Sequence, residues 1–102
     1  MRRVLVRYSV KPDRVAENEE LIRAVYAELG ETQPTDLRYA TFKLDDGVTF
    51  IHIASHETDS GPSPLTRISA FNKFRENIRD RCSEPPITTD LTEIETYRFF
   101  AE

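Results

Sequence analysis

His52 and His56 are the only imidazoles in the chain, four residues apart in the stretch Gly47–Glu57. An imidazole with a pKa near 6.5 exchanges protons at neutral pH, so this pair is the first candidate for acid–base chemistry. In a pocket, His56 could take a proton from a phenol or an enolisable ketone, leaving a carbanion that reacts with dioxygen directly. The competing readings are a hydrogen-bonded core histidine for His52 and a solvated strand end for His56. Four residues of extended chain separate the two rings by roughly 13 Å, too far to share one metal ion without a sharp bend. No metal is expected. Tyr8, Tyr26 and Tyr39 could orient an aromatic ligand through their hydroxyls, or could serve as core residues. Arg67 is a candidate anchor for an anionic substrate group. Cys82, the single cysteine, reads as a buried, inert thiol.

The histidines need a strand to hold them. Gly47–Glu57 follows the turn signal Asp45-Asp46-Gly47 and alternates Val48/Phe50/His52/Ala54/His56 with Thr49/Ile51/Ile53/Ser55. Neither face is polar, so the strand is expected inside its sheet, covered on both sides. Arg3–Lys11 alternates in the same way, with Val4/Val6/Tyr8/Val10 on one face. Pro12-Asp13 then breaks to a helix over Asp13–Gly30, with Asp13 as N-cap and Gly30 as terminator. Leu37–Leu44 is a strand hairpinned to the histidine strand.

Glu57–Pro64 is a polar loop placed to act as a lid. Beyond it, Leu65, Ile68, Phe71, Phe74, Ile78 and Cys82 mark one face of a second helix, which Pro85-Pro86 is expected to end. Thr88–Phe100 is the last strand. The order β-α-β-β-α-β is the ferredoxin-like plan, an α+β fold with a four-stranded antiparallel sheet and both helices on one face. The expected strand order is four-one-three-two. The uncovered face would carry Leu5, Ile51 and Ile53, an apolar surface best hidden against a second copy. Arg7 would point into that interface and pair with Glu93 or Glu95.

At 102 residues, with 14 Lys+Arg against 18 Asp+Glu and a net charge of −4, the chain reads as one domain over 1–102. The acidic balance argues against general nucleic-acid binding and against a polybasic membrane patch. RNA-recognition domains share the element order. They display aromatic and basic residues on the inner strands, and Gly-Val-Thr-Phe-Ile-His-Ile-Ala does not. No apolar run approaches the ~20 residues of a membrane span. A cytoplasmic location is expected, since the N-terminus shows no signal-peptide pattern.

Tyr8-Ser9-Val10-Lys11-Pro12, the hairpin into Phe50-Ile51-His52-Ile53-Ala54-Ser55-His56-Glu57, and a helix carrying Phe71 and Phe74 together resemble one family. It is the antibiotic-biosynthesis-monooxygenase-like group of the dimeric α+β barrel superfamily. The resemblance covers nearly the whole chain and implies a homodimer packed through the sheet face. It also implies a pocket between helices and sheet, reached by Val6, Tyr8, His52 and His56. The heme-degrading branch needs a tryptophan, and this sequence has none.

The reading is therefore a monooxygenase-like enzyme without cofactor, acting on a small aromatic or enolisable molecule. His56 is the base, His52 and Tyr8 orient, and Val6, Phe50, Arg67 and Phe71 contact substrate. The alternatives are a non-catalytic binder of a small hydrophobic ligand and a structural dimer whose pocket is plugged by Phe50, Phe71 and Phe74.

Overall fold

Alternating β-branched and aromatic residues produce the first three strands close to where expected, and the computed structural model describes residues 2–57 and 61–99. Strand β1 is Arg2–Val10, β2 is Leu37–Lys43 and β3 is Thr49–His56. Strand β4 is Cys82–Leu91. The sheet runs β2-β3-β1-β4 with every neighbouring pair antiparallel, which is the order anticipated from the sequence. The β2–β3 turn is held by Asp46, whose carboxylate accepts the amides of Val48 (3.0 Å) and Thr49 (2.8 Å). Gly47 sits at φ 77°, the left-handed region that favours glycine.

Helix α1, Val15–Thr32, follows a 3-10 turn over Pro12–Arg14. Neither expected cap acts as one. The Asp13 side chain caps nothing, and the helix runs through Gly30 to end at Gln33, whose left-handed φ of 45° returns its amide to the Leu29 carbonyl.

The second helical segment differs most from expectation. Instead of one helix it forms a 3-10 turn at Pro64–Arg67, helix α2 at Ser69–Arg75 and a single turn, α3, at Ile78–Arg81. Asn77 makes the break at φ 61°, a conformation asparagine tolerates better than most side chains. Helix α2 starts where Glu28 of α1 accepts the amides of Ser69 and Ala70, at 3.0 and 2.8 Å. One carboxylate thereby satisfies two otherwise orphaned donors and ties the two helices together.

Cys82 and Pro85-Pro86 belong to β4 rather than to the helix, so the last strand begins earlier and ends at Leu91. Prolines are tolerated there because β4 is an edge strand. Arg7 pairs with Ile87 and Ser9 with Glu84, so Pro85 and Pro86 both oppose Tyr8 in a bulge. Residues 92–99 are not strand; Ile94, Tyr97 and Phe99 lie exposed, and Phe100 falls outside the described residues.

The helices cover one face of the sheet. Tyr8, Val10, Val25, Phe50, Ile68, Phe74 and Cys82 form its core. On the other face, pairing aligns Phe42, Ile51, Arg7 and Ile87 in one row and Ala40, Ile53, Leu5 and Thr89 in the next. Phe42 and Ile87 are 48% and 65% exposed there. Arg7 is exposed on this face, but Glu93 pairs with Arg3 instead. Among the described residues no helix is long and apolar enough to cross a membrane.

Candidate functional site

Strand periodicity sends Val4, Val6 and Tyr8 of β1 and His52, Ala54 and His56 of β3 toward the helices, and the register sets Val6 beside His52. Between them and α2–α3 lies a cavity of about 560 Å³. Val6, Tyr8, His52, His56 and Phe71 all line it, five of the seven residues singled out from the sequence. Phe50 does not. It is buried, stacks on Tyr8 at 5.6 Å between centroids, and borders a separate groove between α1 and β2. Arg67 does not either, because its guanidinium holds both oxygens of Asp36, at 2.9 and 3.0 Å. Phe71 and Phe74 form part of the cavity wall without filling it. Of the expected lid, residues 58–60 lie outside the described residues.

His52 ends a buried chain of hydrogen bonds whose direction follows from its far end. Arg81 is only 2% exposed and can only donate. Its Nε–H goes to Asn18 Oδ1 at 3.1 Å, and its Nη2 to the Phe74 carbonyl at 2.8 Å. Asn18 must then turn its amide outward, and Nδ2 donates to Tyr8 Oη at 3.0 Å. Tyr8 has its own proton left to give, and His52 Nε2 lies 2.8 Å away. That makes His52 the Nδ1–H tautomer, donating to Tyr39 Oη at 2.7 Å with Thr41 Oγ1 at 3.2 Å.

The electrostatics agree with this closure. Burial pushes His52 down to about 4, so the ring is neutral at pH 7. Burial also raises the Tyr8 phenol well above its ordinary value, against the opposing pull of Asn18 and Arg81. Neither group is poised to exchange protons at neutral pH. They hold positions.

His56 sits differently, half-buried at the end of β3. Its Nε2 contacts Ser63 Oγ at 3.1 Å, and Nδ1 has no hydrogen-bond partner among the described residues. Partial burial lowers its pKa, helped by Arg2 and opposed by Asp36, so the neutral, proton-accepting form prevails at pH 7. Cys82 is buried in the core and its thiol is pushed up by burial, the state of an inert cysteine.

Sequence reasoning passed over Asn18 and Arg81. Both carried a signal: Asn18 falls on the Val15, Leu21/Ile22, Val25 stripe of α1, and Arg81 follows Phe74 and Ile78 at helical spacing. A polar residue on a core stripe needs a buried partner, and here each finds the other. Ser63 and the cationic residues Arg2, Arg75 and Arg79, which also line the cavity, carried no such signal.

No protein-family model and no curated protein matches the sequence. Solved structures do. A candidate antibiotic biosynthesis monooxygenase from Nitrosomonas europaea superposes with a TM-score of 0.74 at 20% identity, over 93% of this chain and 100% of its own. Another from Caulobacter crescentus gives 0.67 at 17% identity, over 92% and 90%. The fold is that of the antibiotic biosynthesis monooxygenase-like proteins. SnoaB, a cofactor-independent oxygenase from Streptomyces nogalater, shares this monooxygenase-like fold with a TM-score of 0.65 at 15% identity, over 95% and 96%. At such identities the likeness establishes the monooxygenase-like fold, and chemistry has to be argued from the cavity.

Proposed function

We propose that the cavity is the active site of a small monooxygenase-like enzyme that needs no cofactor and acts on an aromatic or enolisable substrate. The observation that supports this reading is the convergence of His56, Tyr8 and His52 on one unfilled, otherwise mostly apolar cavity of about 560 Å³. The roles follow from the partners each side chain already has. His56, neutral at pH 7 and with one ring nitrogen unpartnered among the described residues, is the base. Tyr8 and His52, committed to each other and to Asn18 and Tyr39, are positioning residues that present a fixed polar wall.

In this reading His56 takes a proton from the activated CH₂ of a phenol-conjugated or enolisable ketone. The resulting carbanion adds to dioxygen, and the peroxide oxygen recovers the proton from His56. Loss of water from the hydroperoxide gives the ketone, so one oxygen atom enters product and the other leaves as water. Dioxygen is the oxidant, and CH₂ becomes C=O.

Oxygen uptake tests this directly. A panel of quinols and enolisable ketones should include a substrate consumed by the wild type and spared by His56→Ala. Uptake that is equal in both proteins would remove His56 from the chemistry. A second reading, a non-catalytic binder of a small hydrophobic ligand, draws on the saturation of His52 and Tyr8. It predicts tight ligand binding with no oxygen uptake.

We also infer that the chain is a homodimer through the open sheet face, where Phe42, Ile51, Ile53, Leu5 and Ile87 form an apolar surface interrupted by Arg7. Light scattering should give twice the chain mass for the wild type and the single mass for Ile53→Lys.

A further inference from the structure

The cavity carries a charge signature that its proposed chemistry does not require. Acidic residues outnumber basic ones in this chain, 18 to 14. Yet, among the described residues, the charged side chains lining the cavity are Arg2, Arg75 and Arg79, with no aspartate or glutamate among them. Arg75 lies over the Phe71 ring, 5.6 Å from its centroid, so a cation and an aromatic face are presented together. The Arg79 side chain makes no hydrogen bond or ion pair among the described residues. Arg2 is partly neutralised by Asp90 at 3.2 Å, and Arg67, the other cation near this end, is occupied by Asp36. Arg75 and Arg79 therefore stand as uncommitted cations on an apolar cavity. Because α2 stops at Arg75 and the chain restarts at Ile78 after Asn77, the two arginines come from separate helical turns, and both line the cavity.

We propose that the ligand of this cavity is an anionic aromatic molecule: an apolar ring body against Val6, Phe71 and Ile78, with one carboxylate-like or sulfonate-like group held by Arg75 and Arg79. The proposal rests on the cavity being the ligand site and adds the charge class of what enters it. Arg75 and Arg79, rather than Arg67, set that specificity. Both arginines are exposed at the cavity, so their attraction for an anion acts through solvent and is screened by salt.

The test uses two fluorescent probes with the same rings, 8-anilinonaphthalene-1-sulfonate and its neutral parent N-phenyl-1-naphthylamine. They are titrated into wild type, the Arg75→Gln/Arg79→Gln double variant and a cavity-filling Val6→Phe variant, each checked for its fold by circular dichroism. The sulfonate is expected to bind wild type at least about tenfold tighter than the neutral probe, and less tightly as salt is raised. The double variant should lose that preference while keeping its affinity for the neutral probe. Val6→Phe should weaken both. Equal binding of the two probes to wild type, or a preference that survives in the double variant, overturns the charge assignment alone. If Val6→Phe leaves both affinities unchanged, or if neither probe binds, the cavity itself is refuted as the ligand site, and the charge proposal with it.

Discussion

The helix-facing side of β3 is closed at one histidine and open at the other. Around His52, both ring nitrogens are taken, the ring lies 5.4 Å from that of Phe74, and burial depresses its pKa to about 4. Around His56, four residues along the same strand face, there is partial exposure, one hydroxyl contact and a cavity. Residue type and strand face are the same for both, with His52 in mid-strand and His56 at the strand's end. The difference comes from what α1 and α3 deliver: Asn18 and Arg81 reach the His52 end, and nothing equivalent among the described residues reaches His56. A titratable group becomes structural or chemical according to whether neighbouring elements use up its hydrogen-bonding capacity.

The strongest way to break the comparison is to dismantle the closed end. Arg81→Ala removes the donor for Asn18 and for the Phe74 and Glu76 carbonyls at the end of α2. Leaving those buried acceptors unpaired should cost about 3–5 kcal/mol in urea unfolding. An unchanged midpoint would show that the network is ornamental.

Acid should attack the same end. The unfolded chain binds a proton to His52 near pH 6.5 and the folded one only near 4, so the unfolded state holds more protons between those values. Stability from this group is complete above pH 6.5 and is lost as pH falls toward 4, by about 3 kcal/mol in all. Unfolding midpoints of wild type and His52→Gln measured from pH 7 to 4 should converge as the pH drops.

The open end answers to activity rather than stability. His56→Ala should lower oxygen uptake by about 100-fold or more while changing stability by less than about 1 kcal/mol. Activity should fall as pH drops through the His56 pKa, because the proton-accepting form is lost. Smallest of all, Tyr8→Phe deletes one hydroxyl that links Asn18 to His52. It should cost about 1–2 kcal/mol in the same unfolding assay.

Which end is which could be read only in part from the sequence. Strand order was legible because β3 alternates without a polar face, which calls for an interior place, and the β-α-β-β-α-β order sets β1 beside it. The break in the second helix was not, since Leu65 to Cys82 keeps helical apolar spacing straight through Asn77. What ends α2 is a tertiary event: Arg81 folding back to accept its place against the Phe74 and Glu76 carbonyls. Pro85-Pro86 reads as a stop in one dimension, yet an edge strand absorbs it as a bulge. The site divided in the same way. Val6, Tyr8, His52 and His56 came from the family resemblance, and their shared strand face agrees with it. Arg67 was lost to Asp36, thirty-one residues away, and no local pattern announces such a partner.

Ring-nitrogen NMR of the two histidines across pH 3.5 to 8, with and without an anionic naphthalene ligand, tests the central contrast most directly. The account predicts that His52 stays the Nδ1–H tautomer down to about pH 4, with or without ligand. His56 should titrate at higher pH, as its shallower burial requires, and shift when the ligand is added. Two histidines that titrate together near 6.5, or a ligand that shifts His52 and spares His56, would contradict it.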